Sequence, residues 1–180
     1  MAWDELNLLR ETAIMLFSEN PKPEERKRFE DYMEFVLCLV YQYGWRDAEE
    51  IVGIVPFRDG LDDKTVNLVI ENKTFRERVE EQFQNGSAEG LIRIIETEAH
   101  RDYNAGVQQS AVESGVPGIR KRWVTMGDEL VRDSHIYLEG VTVGLNDKFY
   151  TIGGASALYP GQFGDPSEDC NCRCFIQLVK

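Results

Sequence analysis

The chain has 180 residues, 42% of them hydrophobic and 29% charged, with six prolines; this describes a folded chain of one domain or two small ones and excludes a disordered tail or a collagen-like rod. Twenty basic against 32 acidic side chains give a net charge of −12, and because phosphate backbones are bound chiefly by Lys and Arg, nucleic acid is a poor default partner. Apolar runs such as Phe35-Val-Leu-Cys-Leu-Val-Tyr41 fall well short of the roughly 18–20 residues a bilayer span needs, and the N-terminus lacks a basic-then-apolar leader pattern, so neither a membrane protein nor a secreted one is expected.

The first part of the chain reads as helical. Trp3, Leu6, Leu9, Ala13, Leu16 and Phe17 recur at three- and four-residue steps, which puts them on one side of a helix. Asn20-Pro21-Lys22-Pro23 breaks it, and Pro23 followed by two glutamates is a good helix start, since proline tolerates the first turn and acids oppose the positive dipole end. That second helix is expected to run to about Tyr43, burying Phe29, Tyr32, Phe35, Val36, Leu39 and Val40, with Gly44 as its stop.

A third short helix is expected over Arg46 to Val52, closed by Pro56 and the Arg58-Asp59-Gly60 turn. Asp62 or Asp63 could cap a fourth. Thr74 opens a fifth, with Phe75, Val79 and Phe83 at four-residue spacing, and Asn85-Gly86-Ser87 is a stop followed by a cap. The boundary between a helical unit, 1–87, and a second unit, 88–180, is placed there.

From Ala88 to about Ser114 the pattern predicts a long helix with Leu91, Ile94, Ile95, Ala99, Tyr103, Val107 and Val112 on its buried side. After Gly115-Val116-Pro117-Gly118 the period changes. Ile119 to Met126 and Cys174 to Val179 have the β-branched and aromatic content of strands. Between them come a short helix around Asp128 to Leu138, a strand fragment at Val141-Thr-Val143, and Gly- and Pro-rich turns from Gly153 to Pro166. The fold class is therefore α+β: N-terminal helices, a long helix, and a small antiparallel sheet.

Cys38 reads as a buried small hydrophobe. Cys170, Cys172 and Cys174 crowd into five residues; in an extended strand, residues two apart project from one face, so the three sulfurs would line one side. They could ligate zinc with His135 as the further donor and Asp133 as its partner or a ligand, pack as small thiols, or oxidise to a disulfide. His135 and His100 are the two histidines. Asp133-Ser134-His135 supplies the residue types of acid–base chemistry, but sequence neighbours seldom make a working triad, and the plainer reading is an imidazole bonded to the terminal strand or to the Gly-rich loop. Glu98, Arg101 and Asn104 make a polar stripe at three-residue spacing, suited to tying the long helix to the sheet.

Taken together, the run from Ile95 to Gly106, the segment Lys121 to His135, Leu138-Glu-Gly140, Asp147-Lys-Phe149 and Asn171-Cys-Arg-Cys174 resemble the Mu F-like head-morphogenesis domain, a family of minor capsid proteins of tailed bacteriophages. The resemblance covers about residues 90–180. It implies a virion component made in the host cytoplasm, located in the phage head, docking on the portal, capsid or scaffold proteins, and acting in head assembly or DNA delivery. It implies no catalytic activity, no required cofactor beyond the zinc just considered, and no membrane; Glu98, Arg101, Asn104, Trp123, Asp128, Arg132, Asp133, His135, Cys172 and Cys174 become its structural signature. Alternatives are a hydrolase, nuclease or toxin-like enzyme using His135 and Asp133, or an internal head protein in weak contact with packaged DNA.

Overall fold

A computed structural model describes residues 2–57, 69–70 and 72–180. Its elements are helices α1 (Ala2–Glu19), α2 (Pro23–Val52), α3 (Phe75–Asn85) and α4 (Ala88–Ser114), strand β1 (Arg120–Val124), helix α5 (Asp133–Ile136), strands β2 (Thr142–Gly144), β3 (Phe149–Tyr150) and β4 (Ser156–Ala157), helix α6 (Pro166–Asp169), and strand β5 (Phe175–Val179). This is the expected α+β architecture. The Arg58-Asp59-Gly60 turn and the cap at Asp62 or Asp63 lie outside the described residues.

Local chemistry explains several boundaries. At α3, Thr74 Oγ1 accepts from the Glu77 amide at 3.3 Å while Glu77 Oε2 accepts from the Thr74 amide at 2.7 Å, a reciprocal cap that satisfies two otherwise orphaned donors. At α4, Ser87 supplies a one-way cap, its Oγ accepting from Gly90 N at 3.0 Å. Both of these helices end on glycines in the left-handed region, Gly86 and Gly115.

One expected boundary is wrong. Gly44 does not end the second helix; α2 runs through it as far as Val52, absorbing the separate helix expected over Arg46 to Val52. The glycine is there because α4 crosses α2 at this point, and a Cβ on Gly44 would lie 2.0 Å from the Tyr103 carbonyl oxygen. The buried face of α2 is also shifted from the expected one: Met33 and Leu37 are fully covered, whereas Phe35 is 56% exposed. On α4, Ala111 is buried and Val112 faces outward.

Two apolar cores meet along α4. Leu6, Leu9, Ala13, Phe29, Met33, Val36 and Val40 pack with Phe75, Val79 and Phe83 against Leu91, Ile95 and Ala99. The other core joins Ala48 of α2, Val107 and Ala111 of α4, and Trp123, Leu138, Phe149, Ile176 and Leu178. The long helix is thus covered on more than its apolar side.

In the three-stranded sheet, β1 lies between β2 and β5, antiparallel to both, with Trp123 opposite Ile176. Alternation along β1 buries Lys121 and Trp123 and leaves Arg120 and Arg122 exposed. The Arg120-Lys121-Arg122 run is therefore split between two faces instead of forming one basic patch. A separate two-stranded sheet pairs β3 with β4. Among the described residues, no helix is long and apolar enough to cross a membrane.

Candidate functional site

The polar stripe of α4 is buried. Glu98 and Arg101 are each 1% exposed and Asn104 is fully covered. Glu98 bridges two guanidiniums, accepting from Arg78 at 2.7 Å and from Arg101. Arg101 also donates through Nε to the carbonyl of Gly161, so it reaches from the helix to the loop before α6. The pairing matters because burying an unmatched charge costs several kcal/mol.

Asn104 holds the terminal segment. Its Oδ1 accepts from the Ile176 amide at 2.9 Å and its Nδ2 donates to the Cys174 carbonyl at 3.2 Å. A side-chain amide can match a strand edge in this way because it presents one donor and one acceptor side by side. The same Nδ2 lies 2.8 Å from the His100 carbonyl.

The segment between β1 and α5 clasps the other side of residues 165–174. The helix expected around Asp128 to Leu138 is confined to Asp133–Ile136, because the Asp128 carboxylate draws the chain into a turn, accepting from Leu130 N at 3.1 Å, and forms a fork with Arg173 at 2.6 and 2.8 Å. Those bonds hold the Asp128 carboxyl below its usual range. Arg132 donates to the carbonyls of Ser167, at 2.8 Å, Glu168 and Cys170, gathering the C-terminal end of α6 on one planar guanidinium.

His135 sits at the centre of this clasp, 1% exposed. Its ring stacks on Phe163 at 5.5 Å and meets the edge of Trp123 at 5.3 Å. Nδ1 lies 3.5 Å from Cys172 Sγ and 3.6 Å from Cys174 Sγ. On the opposite side of the ring, Nε2 is 3.1 Å from Glu168 Oε2 without a linear hydrogen bond, and Ser134 Oγ donates to the same oxygen at 2.8 Å. A hydrogen bond from Cys174 holds the Cys172 thiol below its ordinary range, and the same bond pushes the Cys174 thiol up.

Two sequence expectations change here. The three sulfurs do not line one face, because the segment is not a strand at that point: Asn171 has φ 56°, and β5 begins only at Phe175. Cys170 caps α6 and stands apart from the His135, Cys172, Cys174 group. The carboxylate beside the imidazole is Glu168, while Asp133 is exposed at the first turn of α5. His135 lines a small recess together with Arg132, Cys172 and Cys174 among others, which measures about 10 Å³, room for a single water.

Several buried polar groups escaped the sequence reading. Asp169 is 2% exposed and accepts from the amides of Phe163 and Gly164 at 3.0 and 2.8 Å, pinning the loop that covers His135. Lys121 is fully buried, donating to Gln108 Oε1 at 3.1 Å with its ammonium 5.7 Å from the Phe149 ring centre. Asp102 is also buried, and its Oδ1 has no hydrogen-bond partner among the described residues. The alternation of β1 signals Lys121; nothing local signals the two aspartates.

The family model described as phage Mu protein F like protein matches residues 69–177. A protein of Enterococcus faecalis named NAD(+)--arginine ADP-ribosyltransferase EFV is 35% identical over 127 residues, 66% of this chain and 26% of that protein. Minor head protein GP7 of Bacillus phage SPP1 is 30% identical over 104 residues, 57% of this chain and 33% of that protein. The chain thus spans about a quarter to a third of the length of these relatives. No solved structure matches it.

Proposed function

Because the chain belongs to the phage Mu protein F-like family, we propose that it is a minor head protein of a tailed bacteriophage, docking on the portal or the inner capsid and acting in head assembly or DNA delivery. The observation that carries this reading is the family match together with the likeness to a phage minor head protein. The geometry supports a scaffold. Glu98, Arg101, Asn104, Arg132 and Asp128 each make hydrogen bonds to other parts of the same chain. His135 is enclosed by sulfur, carboxylate and aromatic rings with room beside it for one water, whereas acid–base chemistry on a substrate requires the imidazole within reach of it. Leu130, Ile136 and Tyr137 are each more than half exposed, apolar side chains that a partner subunit would cover.

The test is mass spectrometry of purified phage heads, with and without a stop codon early in the gene, combined with capture of portal and capsid subunits by the tagged protein. The protein in wild-type heads, with assembly or infectivity lost in the mutant, is the expected result. Its absence from heads would sink the proposal.

A second reading comes from the relative named as an arginine ADP-ribosyltransferase: this module would then carry a toxin. Transfer of ADP-ribose from NAD to an arginine acceptor by the purified chain would favour an enzyme. The net charge of −12 and the splitting of the Arg120 to Arg122 run between two faces weigh against DNA as the main partner, and binding that stays undetectable at low salt would remove it.

A further inference from the structure

From the arrangement of His135, Cys172 and Cys174 we infer that the clasp is a zinc site, in which His135 Nδ1 and the two sulfurs are the protein ligands and a water in the adjoining recess takes the fourth position. The ligand atoms lie within 4.8 Å of one another, and all three residues are buried. The distances are the sharper argument. With Zn–S about 2.3 Å and Zn–N about 2.0–2.1 Å, a tetrahedral ion holds its nitrogen and sulfur ligands about 3.6 Å apart. Nδ1 is 3.5 Å from one sulfur and 3.6 Å from the other.

Three further observations agree. Nδ1 can ligate only through its lone pair, so the ring proton must reside on Nε2, and that atom has Glu168 Oε2 at 3.1 Å, itself oriented by Ser134. A carboxylate behind the imidazole is the usual way a protein sets the tautomer of a metal-binding histidine. Charge is balanced as well: both thiols lose their protons to solvent on ligation, and two thiolates cancel the dication, so the complex is neutral where Trp123 and Phe163 enclose it. The recess is lined by Arg132, His135, Cys172 and Cys174 and admits one water.

Cys172 and Cys174 lie 37 and 39 residues beyond His135, so one ion would join α5 to the segment that enters β5. Cys170, part-exposed and outside the group, takes no part, and neither does Cys38. The inference stands apart from the head-protein reading, since it concerns only what closes the module.

The test uses the full chain, kept reduced, expressed with added zinc and analysed by elemental mass spectrometry, then stripped and titrated with Co²⁺. About one zinc per chain is expected, and Co²⁺ should give intense d–d absorption with a thiolate charge-transfer band. Cys170→Ser and Cys38→Ser should keep both signals. Cys172→Ser with Cys174→Ser should abolish them, and Glu168→Ala should weaken zinc affinity roughly 10- to 100-fold. A folded, reduced wild-type chain that takes up neither metal overturns the inference whatever the variants do. So does a thiolate band that survives the double substitution or disappears with Cys170→Ser.

Discussion

Gly44 of α2 and Gly106 of α4 face each other's backbone at the crossing of the two long helices: a Cβ on Gly44 would lie 2.0 Å from the Tyr103 carbonyl oxygen, and one on Gly106 would lie 2.1 Å from the Tyr41 carbonyl oxygen. Each helix is flat where the other must pass. In an exposed helix, Gly→Ala gains about 0.5–1 kcal/mol. Here the new methyl overlaps backbone, which cannot swing aside, so Gly44→Ala and Gly106→Ala should each lose at least about 1–3 kcal/mol. Urea unfolding checks the sign; an unchanged or raised midpoint would contradict so close a crossing.

Asn104 joins the centre of α4 to the start of β5. Asn104→Ala leaves the Ile176 amide and the Cys174 carbonyl without this partner, at a cost of about 2–4 kcal/mol for two buried groups. Amide hydrogen exchange at Ile176 should accelerate more than exchange at the amides of α1.

Arg132 should not tolerate lysine. Its guanidinium serves carbonyls of Ser167, Glu168 and Cys170 at once, and an ammonium lacks the fork that does so. Arg132→Ala and Arg132→Lys should both cost about 1.5–3 kcal/mol in thermal or urea unfolding; full rescue by lysine would show that the charge alone suffices. Asp128→Ala, which breaks the exposed pair with Arg173, should have the smaller effect.

Burial pushes the Lys121 ammonium down to about 8 from an ordinary value of 10.5, with Asp147 opposing. Between those two values the unfolded chain holds more protons than the native one, so stability rises with pH across that window and the penalty is fully present below it. Lys121→Met should remove the alkaline slope and stabilise the protein at pH 7 by roughly 1 kcal/mol, the relieved desolvation exceeding the lost bond to Gln108. Urea midpoints at pH 7 and pH 10 for both proteins provide the check.

Asp102 has the opposite titration. Burial, then the neighbouring Glu98 charge, raises its carboxyl well above the ordinary 3.8, against a lowering influence of Arg101. The native carboxyl keeps a proton that the unfolded one releases, so this residue makes stability fall as pH rises above about 3.8, until the native group itself ionises. Asp102→Asn should flatten that decline and raise the neutral-pH unfolding midpoint. Unfolding curves from pH 4 to 8 that keep the parent's slope would refute the assignment.

Much of the fold was legible locally. The limits of α4 follow from Ser87 before it and Gly115 after it, and the strand content of β1 and β5 from their β-branched and aromatic residues. The Glu98, Arg101 and Asn104 stripe could be seen as polar residues in an apolar pattern, with the sheet as its expected partner. The mistaken stop at Gly44 has an equally physical cause: glycine is enriched at helix ends and at close helix crossings, and the local sequence does not distinguish them. Nor could the spacing of Cys170, Cys172 and Cys174 show that Asn171 turns left-handed and sends the first sulfur elsewhere.

The amino-acid order by itself determined the element types, most helix limits, the acidic surface and the pairing-ready end strand, because caps, prolines and side-chain alternation act within a few residues. Only the tertiary structure decided that Glu168 rather than Asp133 stands behind His135, that two sulfurs rather than three meet its ring, and that Lys121, Asp102 and Asp169 are buried. Those outcomes depend on contacts between segments tens of residues apart, where the competition between desolvation and partner groups is settled by packing and leaves no periodic trace in the chain.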